Sequence, residues 1–213
     1  MLDSVRILIF GASGGTGRQL VKQAILQHHF VTAFVRSPAD FGMAAANLAV
    51  FTGNVSDAAA IARAMKDQDA VISVLGVSLP LKPDPVVVQG VRHIIQAMER
   101  SGVRRLIYQS FVGVPESRPH AGPFIRAVGA RVLRHEITDH ETKEALVKAS
   151  GLDWTIVRPP KLTNGPRTGT YRTGEGIPAR AFFPKLSRAD AADFLLTQLT
   201  DTTFIRKSPS VMR

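Results

Sequence analysis

The stretch "VRILIFGASGGTGRQL", residues 5–20, joins a short apolar run to a glycine-rich segment and then to a helical pattern. Its glycines at 11, 14 and 17 have the spacing G-x-x-G-x-x-G. Glycines in this position permit a tight turn, let backbone approach a pyrophosphate and let the helix pack closely on the sheet. The first amides of the helix then point at the phosphates. The stretch predicts a dinucleotide cradle, to which Ser13 and Thr16 add hydroxyl donors.

Short β-branched runs alternate with helical patterns along most of the chain. Six runs predict strands, several of them apolar on both faces as buried parallel strands require, at 5–10, 31–36, 48–53, 70–76, 104–110 and 154–159. Repeated β-α-β units with right-handed crossovers give a doubly wound parallel sheet. We therefore expect an α/β, Rossmann-like sheet flanked by helices, in a single domain over residues 1–213.

A lid-like insertion around 112–138 breaks the alternation with a mixture of proline, glycine and basic helical sequence. Segments of this length in a compact domain are usually functional or mobile. It follows the fifth strand, which places it at the carboxyl edge of the sheet, where ligands bind in this architecture. Arg126, Arg131 and Arg134 form either a basic lid or a solvated helix face.

Composition excludes several kinds of site. The chain has no cysteine, so disulfides, thiolate nucleophiles and iron–sulfur clusters are excluded. It shows neither a signal-peptide pattern nor an apolar run of the roughly 20 residues that cross a bilayer, which favours a cytoplasmic location. The net charge of +10 favours anionic partners, but the basic residues are scattered. We expect a small-molecule partner, no nucleic acid and no membrane, with the choice between monomer and dimer open.

Arg36 ends the second predicted strand, within "FVRSP". An NAD-specific site places an acidic residue there to accept a hydrogen bond from the ribose 2′-hydroxyl, whereas a guanidinium favours a 2′-phosphate. Arg36 therefore predicts NADP(H) as the cofactor. The alternative is an exposed charge at a strand end.

The motifs "GASGGTGRQL", "VRSP", "GNVSD", "QDAVISVLG", "GVRRLIYQS" and "SGLDWTIVRPPKLTNGPRTGTY" resemble the atypical short-chain dehydrogenase/reductase family, and among its members the biliverdin-IXβ reductases, or NADPH flavin reductases. The resemblance covers nearly the whole chain and implies a role for each matching residue. Under it, the pyrophosphate lies on Gly11, Ser13, Gly14, Gly15, Thr16 and Gly17, and the 2′-phosphate on Arg36. The adenine lies on Asn54 and Val55, the ribose on Leu75 and Gly76, and the nicotinamide among Ser110, Pro159, Pro160 and Lys161.

The Tyr-x-x-x-Lys pair of typical short-chain reductases is missing. Tyr108 is followed four residues later by Val112, and Tyr171 by Glu175. Ordinary carbonyl chemistry is therefore disfavoured, because that lysine lowers the tyrosine pKa for proton transfer. The biliverdin-IXβ reductases also lack the pair, and the resemblance implies hydride transfer to a flat conjugated acceptor such as a flavin, a quinone or a linear tetrapyrrole, mainly by positioning. The proton then comes from water or from the acceptor.

Two side chains are candidates for direct action on that acceptor. Ser110 closes the fifth strand and either bonds the substrate or caps its own backbone. Lys161 stands where the resemblance places a histidine, and it either attracts an electron-rich acceptor or is solvated. Four aromatic residues are candidates for apolar walls: Phe111, Phe124, Phe182 and Phe183. His140 is interpreted as a surface histidine, Trp154 as packing, and no metal site is predicted.

Two further functions remain open. An NADP(H)-binding redox sensor of the NmrA-like kind, acting through a protein partner without turnover, fits the missing Tyr/Lys pair equally well. A sugar-nucleotide epimerase is disfavoured, because that chemistry usually needs the missing tyrosine and a larger C-terminal substrate domain.

Overall fold

A computed structural model describes residues 4–39, 41–76, 85–129 and 133–213. Six parallel strands form the central sheet in the order β3-β2-β1-β4-β5-β6. The strands are β1 (Arg6–Phe10), β2 (Phe30–Val35), β3 (Leu48–Thr52), β4 (Ala70–Ser73), β5 (Arg105–Gln109) and β6 (Asp153–Val157). This order confirms the predicted doubly wound sheet, with the switch point between β1 and β4.

Within the described residues, five α-helices cover the sheet: α1 (Gly15–Leu26), α2 (Ala58–Ala64), α3 (Pro85–Ser101), α4 (Arg134–Ala149) and α5 (Arg188–Thr197). The apolar run of β1 is buried on both faces, since Ile7 and Ile9 pack in one core cluster with α1 and α5, while Leu8 and Phe10 pack in another with α2 and α3. In the described parts of the chain, no helix has the length and apolar content needed to cross a bilayer.

Two glycines of the opening stretch are required by close contacts. Gly11 has φ +80°, and a Cβ added there would lie 2.8 Å from the carbonyl oxygen of Val74. A Cβ added at Gly17 would lie 2.1 Å from the carbonyl oxygen of Gly11. Only glycine lets α1 begin directly against the end of β1.

The described residues of the predicted insertion form several helical turns. It contains a 3₁₀ turn (Arg118–His120), a π-helical turn (Ile125–Gly129) and the first turn of α4, because that helix begins at Arg134. Arg126 and Arg134 are exposed, and Arg131 lies outside the described residues.

Four short strands lie outside the main sheet. β7 (Lys161–Thr163) pairs with β9 (Lys185–Ser187), and β8 (Arg172–Gly174) pairs with β10 (Ser210–Met212). They bring the segment after "RPP" back onto α5.

Two carboxylates of α5 fasten this returning segment. Asp190 Oδ1 accepts hydrogen bonds from the Thr168 and Gly169 amides at 2.6 and 3.0 Å, and the Tyr171 hydroxyl donates to Asp193 Oδ2 at 2.7 Å. Tyr171 therefore has a structural role.

A buried ion pair joins α4 to the end of β6. Arg158, 3% exposed, donates from Nε to Glu144 Oε1 at 3.0 Å and from Nη2 to Glu144 Oε2 at 2.5 Å. Its Nη2 also donates to Glu116 Oε2 at 2.7 Å, and Lys148 pairs with the same carboxylate. Because burial makes an unpaired charge costly, this cluster fixes α4 against the sheet.

Replacing Glu144 with glutamine should lower the free energy of unfolding by about 3 kcal/mol, because it leaves the Arg158 guanidinium buried with reduced compensation. Denaturant unfolding followed by circular dichroism measures this change. The control is Arg104→Gln, which breaks a pair between Asp153 and a 61% exposed arginine side chain. The free energy of unfolding of that variant should fall by less than about 1 kcal/mol. If Glu144→Gln lowers it by no more than the control does, the buried pair does not fix α4 against the sheet.

Candidate functional site

A cavity of about 650 Å³ opens at the carboxyl ends of β1, β4, β5 and β6. Its volume lies within the ~300–1,000 Å³ typical of small-molecule sites. Ten residues predicted for the site line it: Gly14, Gly15, Thr16, Gly17, Leu75, Gly76, Ser110, Pro159, Pro160 and Lys161. Tertiary structure thus brings together four segments that are distant in sequence.

The N-terminus of α1 is arranged for an anion. Its N-cap, Gly14, offers no side-chain hydrogen bond, and the first turn contains no acidic residue. By contrast, the Asp57 side chain caps α2, and the Ser187 side chain caps α5. The first amides of a helix lack intrahelical acceptors and carry the positive end of its dipole. The glycine loop therefore fits the phosphates of a dinucleotide.

Five predicted cofactor residues lie outside the cavity wall: Gly11, Ser13, Arg36, Asn54 and Val55. Arg36 follows β2 and is exposed, while Asn54 and Val55 follow β3. These positions belong to the same carboxyl edge of the sheet, on the far side of β1 from the cavity. The assignments of Gly11 and Ser13 to the pyrophosphate, of Arg36 to the 2′-phosphate, and of Asn54 and Val55 to the adenine stay predictions.

Arg18, in the first turns of α1, is engaged with the protein. It donates to the carbonyl oxygens of Ser13 at 3.1 Å and Phe41 at 2.7 Å, and its guanidinium lies 5.7 Å from the centre of the Phe41 ring. These contacts fasten the glycine loop to the segment after β2.

Ser110 and His140 meet in the cavity wall. The Ser110 hydroxyl lies 3.4 Å from Nδ1 of His140, and both residues are buried. The interpretation of His140 as a surface residue is therefore wrong, since only 9% of it is exposed. The sequence did not indicate that His140 is buried, because the buried face of α4 is largely polar. The helix therefore lacks the apolar stripe that normally marks a buried face.

Burial shifts two titratable groups in this wall toward their neutral forms. Desolvation, helped by the nearby Lys143 charge, lowers the pKa of His140 from 6.5 to about 3. Glu136, one helical turn earlier, also lines the cavity, and burial raises its pKa although the Lys143 charge opposes the shift. The wall thus combines a neutral imidazole with a carboxyl that keeps its proton to higher pH than an ordinary glutamic acid.

Neither tyrosine lines the cavity. Tyr108 is fully buried in β5, where desolvation raises the pKa of its hydroxyl. The Tyr171 hydroxyl is held by Asp193, and burial with that hydrogen bond raises its pKa as well. The site therefore has no tyrosine placed to transfer a proton to a ligand in the cavity.

Aromatic rings form the outer wall. The four predicted residues, Phe111, Phe124, Phe182 and Phe183, all line the cavity. The Phe183 ring centre lies 4.5 Å from that of Phe124 and 4.8 Å from that of Phe182. Phe182 and Phe183 remain 57% and 50% exposed, which leaves apolar surface available at the cavity mouth.

Three titratable side chains of this wall were not assigned to the site from the sequence: Glu136, His140 and Arg188. A signal for α4 was present, since Ile137, His140, Glu144 and Val147 follow one another at helical spacings and are all buried. This pattern is recognised only if polar residues are counted together with apolar ones as members of the buried face. The described residues contain no group of side chains arranged to hold a metal ion.

Comparisons with protein families and curated proteins find similarity to a nucleotide-binding family and to reductases. A family model described as NAD(P)H-binding matches residues 11–202. The (4-alkanoyl-5-oxo-2,5-dihydrofuran-3-yl)methyl phosphate reductase of Streptomyces griseus is 30% identical over 153 residues, which are 72% of this chain and 46% of that protein. The chain spans less than half the length of the first curated relatives that it matches.

Two solved structures share the fold. ChuY, an anaerobillin reductase from Escherichia coli O157:H7, superposes with a TM-score of 0.76 at 24% identity, over 97% of this chain and 96% of that one. A short-chain dehydrogenase/reductase from Veillonella parvula in complex with NADP gives a TM-score of 0.79 at 19% identity, over 99% and 95% of the two chains.

Acid should destabilise the protein through His140. Because its pKa is lower in the folded state, the unfolded chain binds more protons between pH 6.5 and about 3. The free energy of unfolding should fall with pH in that window, by up to about 1.4 kcal/mol per unit. Denaturant unfolding between pH 6.5 and 5 avoids Glu116, whose pKa falls from 4.5 to about 2 because Arg158 donates a hydrogen bond to it.

The matched variants are His140→Gln and, at a half-buried position, His120→Gln. The first should change the slope by the share of His140, leaving the contributions of His29 and Glu136, whose pKa values burial lowers and raises respectively. The second should keep the slope of the unsubstituted protein. Equal slopes in both variants would show that His140 is not the group responsible.

Proposed function

Because the chain belongs to the NAD(P)H-binding family, we propose that it is an NADPH-dependent oxidoreductase that transfers hydride to a flat conjugated acceptor, such as a flavin, a quinone or a linear tetrapyrrole. Family membership confirms the predicted cofactor class. The acceptor class rests on the cavity.

The observation that carries the proposal is the composition of the cavity beside the glycine loop. Its outer wall is aromatic, with Phe182 and Phe183 partly exposed toward an incoming ligand. Its polar groups include no tyrosine. Such a wall suits a flat ring that is held by stacking, and positioning alone supplies much of the acceleration for such acceptors. The reductase name of the Streptomyces griseus relative supports the same reaction class.

Each end of the site has a distinct task. The amides of α1 bind phosphate, and Arg36, exposed after β2, receives the 2′-phosphate that distinguishes NADPH from NADH. When bound, NADPH supplies the hydride. Pro159 and Pro160, both buried, line the cavity with Ser110, and the amide of Val112 donates to the Pro159 carbonyl at 3.1 Å.

Ser110 is the hydroxyl placed at the acceptor, and His140 is its positioning residue. Burial keeps the imidazole neutral, so its Nδ1 fixes the Ser110 hydroxyl without adding charge to the cavity. Lys161, exposed on β7, supplies a positive charge at the mouth that attracts an electron-rich or anionic acceptor.

The reaction also consumes one proton, since the acceptor gains a hydride and a proton while NADPH becomes NADP⁺. The resemblance drawn from the sequence implies water or the acceptor itself as the donor. Glu136 is a second donor, because it lines the same cavity and its raised pKa keeps the carboxyl protonated to higher pH than usual.

The purified protein should oxidise NADPH when FMN, riboflavin, a small quinone or biliverdin is present, as followed by the loss of NADPH absorbance. We expect turnover with at least one acceptor, and NADPH to be preferred to NADH. Tight NADPH binding with no turnover of any acceptor would overturn the proposed enzymatic function and favour the redox sensor.

Glu136→Gln should lower kcat by about a hundredfold if Glu136 donates the proton. The wild-type rate should also fall as pH rises through the raised pKa of Glu136, since the acid form is then lost, and the variant should lack this fall. Glu141→Gln, an exposed change on the same helix, is the control and should retain the wild-type profile. Equal kcat values for the two variants would show that Glu136 does not donate the proton and would favour water as the donor.

A further inference from the structure

Arg188, the first residue of α5, lies across the start of α1. It lines the cavity beside the glycine loop, and a Cβ built on Gly15 would lie 2.7 Å from both Cδ and Nε of its side chain. The arginine therefore rests directly on the first residue of α1, where the helix amides are uncapped.

One contact orients this guanidinium. Its Nη1 donates to Oδ1 of Asn164 at 2.7 Å. Within the described ranges, no carboxylate lies within ion-pair distance of Arg188. A guanidinium has five N–H donors in a fixed fork, so Asn164 satisfies one of them and leaves the others to a ligand or to water.

The location is electrostatically unfavourable for a cation unless an anion joins it. Arg188 stands at the N-terminus of α5 and beside the N-terminus of α1, and both helix ends carry partial positive charge. Asp190, in the first turn of α5, turns its oxygens to Thr168 and Gly169. An anion placed between Arg188 and the α1 amides would be attracted by all three positive groups.

We propose that Arg188 is a clamp that binds the dinucleotide pyrophosphate from the side opposite the α1 amides, with Asn164 as its positioning residue. The clamp rests on membership of the NAD(P)H-binding family and is independent of the acceptor, so it holds equally for an enzyme and for a redox sensor. It assigns a binding role to the first turn of a helix that the glycine motif does not contain.

The clamp has a different specificity from Arg36. Arg36 lies after β2, on the far side of β1 from the cavity, and its predicted ligand is the 2′-phosphate. Arg188 contacts Gly15, so its ligand is the pyrophosphate, which NADPH, NADH and ADP-ribose share. Substitutions of Arg36 and of Arg188 are therefore expected to change the affinities for these three ligands in different patterns.

Isothermal titration calorimetry of the full chain with NADPH, NADH and ADP-ribose tests the clamp. Arg188→Ala should weaken all three by about tenfold to a hundredfold, the range for a lost hydrogen bond to a charged group. It should also make log Kd less steeply dependent on log salt. Arg36→Ala should weaken NADPH alone. Lys185→Ala removes the same charge from an exposed position three residues away and should change none of the three.

Two further variants keep the test independent of folding. Arg188→Lys, which retains charge but loses the fork, should bind with intermediate affinity, and Asn164→Ala should weaken the same three ligands by about threefold. Thermal unfolding without ligand verifies that each variant is folded.

Four results would overturn the clamp. Unchanged affinity in Arg188→Ala would remove the residue from the cofactor site. A loss confined to NADPH would move it to the 2′-phosphate. A loss for NADPH and NADH but not for ADP-ribose would place it at the nicotinamide end. An effect of Arg188→Ala on acceptor KM alone would instead assign the charge to an anionic acceptor.

Discussion

The close approach of α1 to the end of β1 is the constraint on which the rest of the site depends. Gly11 and Gly17 allow it, because a Cβ at either would collide with backbone oxygen. The approach sets the uncapped end of α1 at the switch point between β1 and β4, where the strand order reverses. Phosphate binding, the cavity and the position of the strand ends all follow from that packing.

The second wall of the site depends on α4, whose buried face is unusually polar. The Arg158–Glu144 pair anchors this helix next to Pro159 and Pro160, and the same face carries His140 to Ser110. Stability and site geometry are thus coupled, since the ion pair and the Ser110 contact arise from successive turns of one helix. Such a buried polar cluster is costly unless every member is paired, so it also limits which residues the helix tolerates.

Charge is distributed in a way that separates recognition from chemistry. Positive groups surround the phosphate side, where Arg188 and the α1 amides lie. Near Ser110, burial favours the uncharged forms of His140 and Glu136. An aromatic cavity wall next to positively charged groups is consistent with a site that binds a ligand through its phosphates and positions it by stacking.

The sequence by itself determined the sheet, the glycine loop and the segments that meet at the carboxyl edge, because strand periodicity and the glycine spacing are local signals. It also located Ser110, Lys161 and the four phenylalanines of the cavity wall. Only the tertiary structure placed His140, Glu136 and Arg188 in the cavity wall. Their positions depend on contacts between segments far apart in the chain, and the protonation of His140 and Glu136 depends on burial, which a pattern of residue types does not encode.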